Sequence, residues 1–129
     1  MAQKPTVLVV DDEPDLCETV QLVLELRGYE VVSFADGEVA LAGLRAGVHP
    51  CLILLDIMMP RMNGFQFREE QANDPDLRKI PVFVLTGAGQ SVLDKVAALG
   101  LEALRKPIQL EELLGVVERF CCPSRRPEA

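Results

Sequence analysis

The residues of this chain best suited to chemistry stand at the ends of its apolar runs. In "VLVVDDEPD", Val7 to Asp15, four apolar residues pass without a turn into Asp11, Asp12 and Glu13. Further on, "CLILL" (51–55) is followed by Asp56, "PVFVL" (81–85) by Thr86 and Gly87, and "EALR" (102–105) by Lys106 and Pro107. Each has an ordinary explanation alone: a helix cap, a turn opener, a strand end, a solvated ammonium. Gathered at one place they describe a cation site, because clustered carboxylates are costly unless positive charge neutralises them. Oxygen-only ligands with open positions suit Mg2+, which keeps several waters and binds through a few carboxylates plus a phosphate.

The elements around these residues decide whether they meet. Apolar runs of strand length recur at 6–10, 30–34, 51–55, 81–85 and 102–105, each separated from the next by a stretch with helical spacing. Pro14 suits a first helical turn and opens a helix with Leu16, Val20, Val23 and Leu24 on one face, ended by Gly28. "DGEVALAGLRAG" (36–47), "NGFQFREEQ" (63–71) and "SVLDKVAALG" (91–100) supply three more helices. A last one puts Leu110, Leu113, Leu114, Val117 and Phe120 on one stripe, with Glu111, Glu112, Glu118 and Arg119 outside it. Continuous apolar runs imply strands covered on both faces. The expected fold is α/β: a doubly wound, five-stranded parallel sheet with five helices, flavodoxin-like. In such sheets ligands bind outside the carboxyl ends of the strands, where strand order reverses. That rule brings Asp11, Asp12, Asp56, Thr86 and Lys106 to one edge.

Composition narrows the function further. The 129 residues fit one domain, expected to bury a core without disulfides or structural metal. Twenty acids against 13 bases, a net charge of −7, argue against nucleic-acid or anionic-membrane surfaces, since both reward clustered Lys and Arg. "MAQKPT" lacks the apolar core of a secretory signal, and no apolar run approaches the roughly 18 residues of a membrane span. A cytoplasmic protein is expected. Cys17, Cys51, Cys121 and Cys122 fall in no CxxC or Cys/His spacing and are expected as reduced thiols. The domain should run over 1–122, leaving 123–129 as a short tail or the start of a linker.

The acidic pair, the isolated acid in "LILLDIMMPRMNG", the "LTG" step and the "KP" dipeptide together resemble the receiver domain of bacterial response regulators, over about residues 5–120. The resemblance implies a phosphoacceptor module of a two-component phosphorelay. Its phosphorylation by a histidine kinase, a histidine phosphotransfer protein or a small phosphodonor switches protein–protein interactions. By the same resemblance Asp56 is the phosphoacceptor, Asp12 a direct Mg2+ ligand, Asp11 a ligand largely through water, and the Met58 main-chain carbonyl a further ligand, with Mn2+ as a substitute ion. Lys106 is expected to pair with Asp56 at rest and with a phosphoryl oxygen afterwards, and Thr86 to donate its hydroxyl to another. The Lys106–Pro107 bond is expected to be cis, and Gly87 to leave the approach to Asp56 open. The output surface would be the face of the fourth helix, fifth strand and fifth helix. The domain would catalyse at most its own phosphoryl transfer and autodephosphorylation, whose rate in the family depends on the positions of Met58 and Ala88. Where receivers usually carry a switch aromatic, three residues before the lysine, this chain has Ala103.

Glu13 reads equally as an acid just outside the metal's ligands or as a first-turn residue favoured by the helix dipole, and His49 beside Pro50 as an exposed loop residue. "PRMNGF" reads as a turn into the third helix, eased by Asn63 and Gly64. Other function classes fit less well. A phosphatase of the haloacid dehalogenase type needs an acid where Met58 stands, and a flavin carrier needs a phosphate-cradling loop where Asp11 and Asp12 stand. A receiver reduced to a scaffold would lack part of the phosphorylation set, which is complete here.

Overall fold

The structure, a computed structural model, describes residues 4–59 and 61–121. Strands and helices alternate: β1 (Thr6–Val10), α1 (Pro14–Leu26), β2 (Glu30–Phe34), α2 (Gly37–Arg45), β3 (Leu52–Asp56), α3 (Gly64–Ala72), β4 (Val82–Thr86), α4 (Gln90–Ala98), β5 (Glu102–Arg105) and α5 (Leu110–Cys121). The strands form one parallel sheet in the order β2-β1-β3-β4-β5. This is the expected doubly wound, flavodoxin-like fold, with its order reversing beside β1 and β3. The expected boundary at residue 122 and the tail beyond it lie outside the described residues.

The period-two alternation of a strand sends neighbouring side chains to opposite faces. In β1, Val7 and Val9 pack with Val20 and Leu24 of α1 and Leu113 and Val117 of α5. Leu8 and Val10 pack on the other face with Leu41 and Leu44 of α2 and Phe67 of α3. Val7, Leu8, Val9 and Val10 of β1 and Leu52, Ile53, Leu54 and Leu55 of β3 are therefore fully buried on both faces, which is why those segments read as unbroken apolar runs. A smaller cluster of Ile57, Val84 and Val96 holds α4 on the same side as α3. Gln71, wholly buried on α3, donates its amide to the carbonyls of Leu77 and Ile80 and so ties down the passage into β4.

β3 and β4 each run one residue later than their apolar composition suggested. Asp56 pairs with Leu85 and Thr86 with Arg105, so these polar residues are the last rungs of the ladder rather than the first loop residues.

The cysteines require a correction. Cys51 and Cys121 form a disulfide with Cα atoms 5.6 Å apart across a sequence separation of 70, so the expectation of reduced thiols fails at both. The cause is topological: Cys51 immediately precedes central strand β3, and Cys121 ends α5, which lies over β1 and β3. Cys17 is a free, half-buried thiol, pushed up to about 11 by burial and by the charge of Asp11. Cys122 lies outside the described residues.

Candidate functional site

Four of the five strand-end residues meet, and Thr86 ends the strand beside them. Asp11 extends the pairing of β1, its N–H donating to the Phe34 carbonyl at 3.1 Å. Its buried Oδ1 accepts the Glu13 N–H at 2.9 Å. Carboxylate oxygens of Asp11, Asp12 and Asp56 lie within 4.8 Å of one another, the first and last buried and Asp12 exposed. Asp56 Oδ1 accepts the Met58 N–H at 3.3 Å. Thr86, fully buried, accepts the Ala88 N–H on its Oγ1 at 3.1 Å, which leaves its hydroxyl proton as what it can donate. An open hollow of about 360 Å³ is lined by Asp12, Glu13, Asp56, Met58, Gly87, Ala88 and Lys106.

The backbone around the hollow explains several sequence features. A Cβ at Gly64 would lie 2.6 Å from the Asp56 carbonyl oxygen, so only glycine lets α3 start this close to the end of β3. Asn63 and Gln66 close α3 with a reciprocal capping box. Arg61 has a left-handed φ of 66° and its guanidinium sits 3.2 Å from Asp36, the N-cap of α2. That contact fastens the loop carrying Met58 to its neighbour. The Lys106–Pro107 peptide is cis, as the resemblance implied, and the Lys106 N–H donates to the Thr86 carbonyl at 2.9 Å. A Cβ at Gly87 would touch only the Lys106 Cβ, at 3.7 Å, consistent with an open approach. His49 is exposed in the loop before β3.

Burial sets the electrostatics. Asp56 is pushed up to about 6 by desolvation and then by the negative charge of Asp11, against the pull of Lys106. Asp11 is raised chiefly by burial, opposed by Lys106 and the Glu13 N–H. Burial would lower Lys106, but its contacts with Glu13 and Asp11 and the charge of Asp56 outweigh that and hold it above its ordinary value.

The lysine pairs with Asp56, as expected, but lies closer to two other acids. Its Nζ lies 2.5 Å from Glu13 Oε1, 2.9 Å from Asp11 Oδ2 and 3.6 Å from Asp56 Oδ2. At rest it is held by Glu13 and Asp11 more closely than by Asp56. Glu13 is the N-cap of α1, yet its side chain makes no capping bond and goes to the lysine instead. No local signal could show this pairing, because the partners are 93 residues apart.

Fold and site together define a class: a doubly wound α/β module presenting a buried aspartate, further acids, a hydroxyl and a lysine at its carboxyl edge. A family model for the response regulator receiver domain matches residues 7–118, and the chain belongs to that family. Among curated relatives, the DNA-binding dual master transcriptional regulator RpaA of Synechocystis sp. is 36% identical over 116 residues, 88% of this chain and 47% of the relative. The C4-dicarboxylate transport transcriptional regulatory protein DctD of Rhizobium meliloti is 43% identical over 122 residues, 92% of this chain and 26% of the relative. The chain thus spans about half or less of these proteins. Chemotaxis protein CheY4 of Vibrio cholerae superposes with a TM-score of 0.81 at 31% identity, over 91% of this chain and 98% of that one. A receiver domain of a histidine kinase from Syntrophus aciditrophicus gives 0.81 at 31% identity, over 97% and 96%. The chain is a receiver domain, the phosphoacceptor module of two-component signalling.

Proposed function

We propose that Asp56 is the phosphoacceptor and that Asp11, Asp12, Asp56 and the Met58 carbonyl hold a Mg2+ ion, which Mn2+ can replace. The observation that carries this reading is the convergence of the Asp11, Asp12 and Asp56 carboxylates with Lys106, beside a hollow lined by Asp12, Asp56 and Lys106, with Thr86 ending the neighbouring strand β4. The acids fit a cation: Asp11 Oδ2 is buried with no aligned hydrogen-bond donor, its 2.9 Å approach to Lys106 being an ion contact. Asp56 is likewise held above the usual carboxylate range by burial and by Asp11, a penalty that positive charge relieves.

A bound divalent ion would screen the repulsion between Asp56 and an incoming phosphoryl group and neutralise charge in the transition state. The Asp56 carboxylate oxygen attacks phosphorus as the bond from phosphorus to the donor, a histidine nitrogen or the oxygen of a small phosphodonor, breaks. Lys106 and the Thr86 hydroxyl would take two phosphoryl oxygens. The upstream partner is a histidine kinase or histidine phosphotransfer protein. The downstream one is a protein reading the face of α4, β5 and α5.

Acetyl phosphate with Mg2+ should add one phosphoryl group, labile to hydroxylamine, to the wild-type chain and none to Asp56→Asn, as read by intact mass. A hydroxylamine-labile phosphate on Asp56→Asn would overturn the assignment.

A further inference from the structure

We infer that Glu13 is a positioning residue that holds Lys106 closer to itself than to the phosphoacceptor at rest and competes with the phosphoryl group for its ammonium. This rests on the reading of Asp56 as the phosphorylated residue. It adds a step to that reading: release of the lysine from an acid outside the metal's ligand set.

Three carboxylates surround the ammonium, and they are not equivalent. Asp11 and Asp56 are buried, with side chains 0% and 5% exposed, whereas the Glu13 side chain is 57% exposed. A cation taken up by Asp11, Asp12 and Asp56 would neutralise two of the lysine's three anionic neighbours and leave Glu13 as the remaining one. Glu13 also makes the closest of the three contacts, and its carboxylate makes no bond to the helix it begins. A phosphoryl group on Asp56 must therefore draw Lys106 from a partner that cation binding does not displace. Because Glu13 carries a flexible side chain at the solvent edge, its hold is reversible, setting how readily the lysine crosses the hollow.

Three variants separate contact from charge. Glu13→Gln removes the charge and weakens the contact. Glu13→Asp keeps the charge and shortens the reach by one methylene. Glu18→Gln removes an equal charge one turn into α1, where the side chain is exposed and makes no contact with Lys106. An exposed pair of this kind is expected to change the rate of acetyl phosphate labelling, and the affinity for Mg2+ with beryllofluoride, by about two- to fivefold. Both Glu13 variants should rise by that factor, while Glu18→Gln stays near wild type. In metal-free protein the Lys106 ammonium resonance, assigned by its loss in Lys106→Arg, should shift in both Glu13 variants and not in Glu18→Gln.

If Glu13→Asp behaves as wild type and Glu13→Gln matches Glu18→Gln, general charge accounts for the effect and the inference is wrong. An unmoved Lys106 resonance in both Glu13 variants would also overturn it. Failure of the phosphorylation reading is distinct: no chain, wild type included, would label, while the metal-free resonance would still report whether Glu13 holds the lysine.

Discussion

Asp56 lies where burial and a neighbouring carboxylate both resist ionisation, and this decides how pH acts on the site. Its folded-state value of about 6 stands above the ordinary 3.8, so between those values the folded chain binds the proton more tightly than the unfolded chain. Without metal, stability should therefore fall as pH rises through that window and then level off, with Asp11, raised in the same direction, adding to the slope. Mg2+ must displace the Asp56 proton below about 6, so its apparent affinity should climb with pH up to that point and flatten above it. Calorimetric titration at several pH values checks this, and an affinity independent of pH below 6 would refute it. A second expectation concerns the lifetime of the phosphorylated state. Met58 is exposed at the mouth of the hollow and Ala88 lines it, and neither side chain can hydrogen-bond an attacking water. Met58→Asn would supply such a bond; at about 1.4 kcal/mol in the transition state it should speed dephosphorylation about tenfold. An unchanged or slower variant in a phosphate-release assay would count against this. The strand-end residues were legible because each follows an apolar run long enough to be a strand. The Glu13–Lys106 pair was not, since whether Glu13 serves its helix or the lysine is settled by where β5 lies.

At the scale of elements, the unusual part is the route from the site to α4. Ala103 sits on β5 beside Val84 and packs near Phe65, Val92 and Val96, where its methyl group has no rotor to turn. A signal cannot pass through side-chain rotation there. By contrast, α4 has only Val96 buried, and Gly89, its N-cap, would meet nothing within 4 Å if it carried a Cβ. Thr86 is bonded to Ala88, so movement of its hydroxyl toward a phosphoryl oxygen pulls on a segment with space around it. Backbone change over 86–91 is the expected carrier. With Mg2+ and beryllofluoride, amide resonances should shift most in 86–91 and the first turn of α4, and least around Ala103. A moving β5 with a still loop would show the route to be wrong. The number, order and kind of elements could be read from the sequence because a doubly wound parallel sheet leaves unbroken apolar runs between amphipathic helices. The ends of β3 and β4 could not, because polar Asp56 and Thr86 are kept in the ladder by pairing with neighbouring strands rather than by their own composition.

Across the whole molecule, the two ends of β3 have different tasks. Asp56 closes one end in the functional hollow, and Cys51 stands just before the other, bridged to the last residue of α5. The lack of an apparent secretory signal and of any CxxC or Cys/His spacing pointed to reduced thiols. A pair separated by 70 residues leaves no local pattern, and only the packing of α5 over the central strands brings it together. Among the described residues no helix is long and apolar enough to cross a membrane. The bridge should stabilise the fold chiefly by constraining the unfolded chain, by about 2–4 kcal/mol for a native disulfide. In a domain of this size that corresponds to a fall in Tm on the order of 10 °C when it is lost. Cys51→Ser and Cys121→Ser should each produce that fall, and the double variant should be no worse than either, because one bond is lost in every case. Wild type in reductant should melt with the variants. Since the bridge lies at the edge of the sheet opposite Asp56, all three variants should still be labelled by acetyl phosphate at wild-type rates below their melting range. Additive losses in the double variant would mean that the two cysteines stabilise the fold through separate packing rather than through a shared bond. Loss of labelling in folded variants would show that the two ends of β3 are coupled.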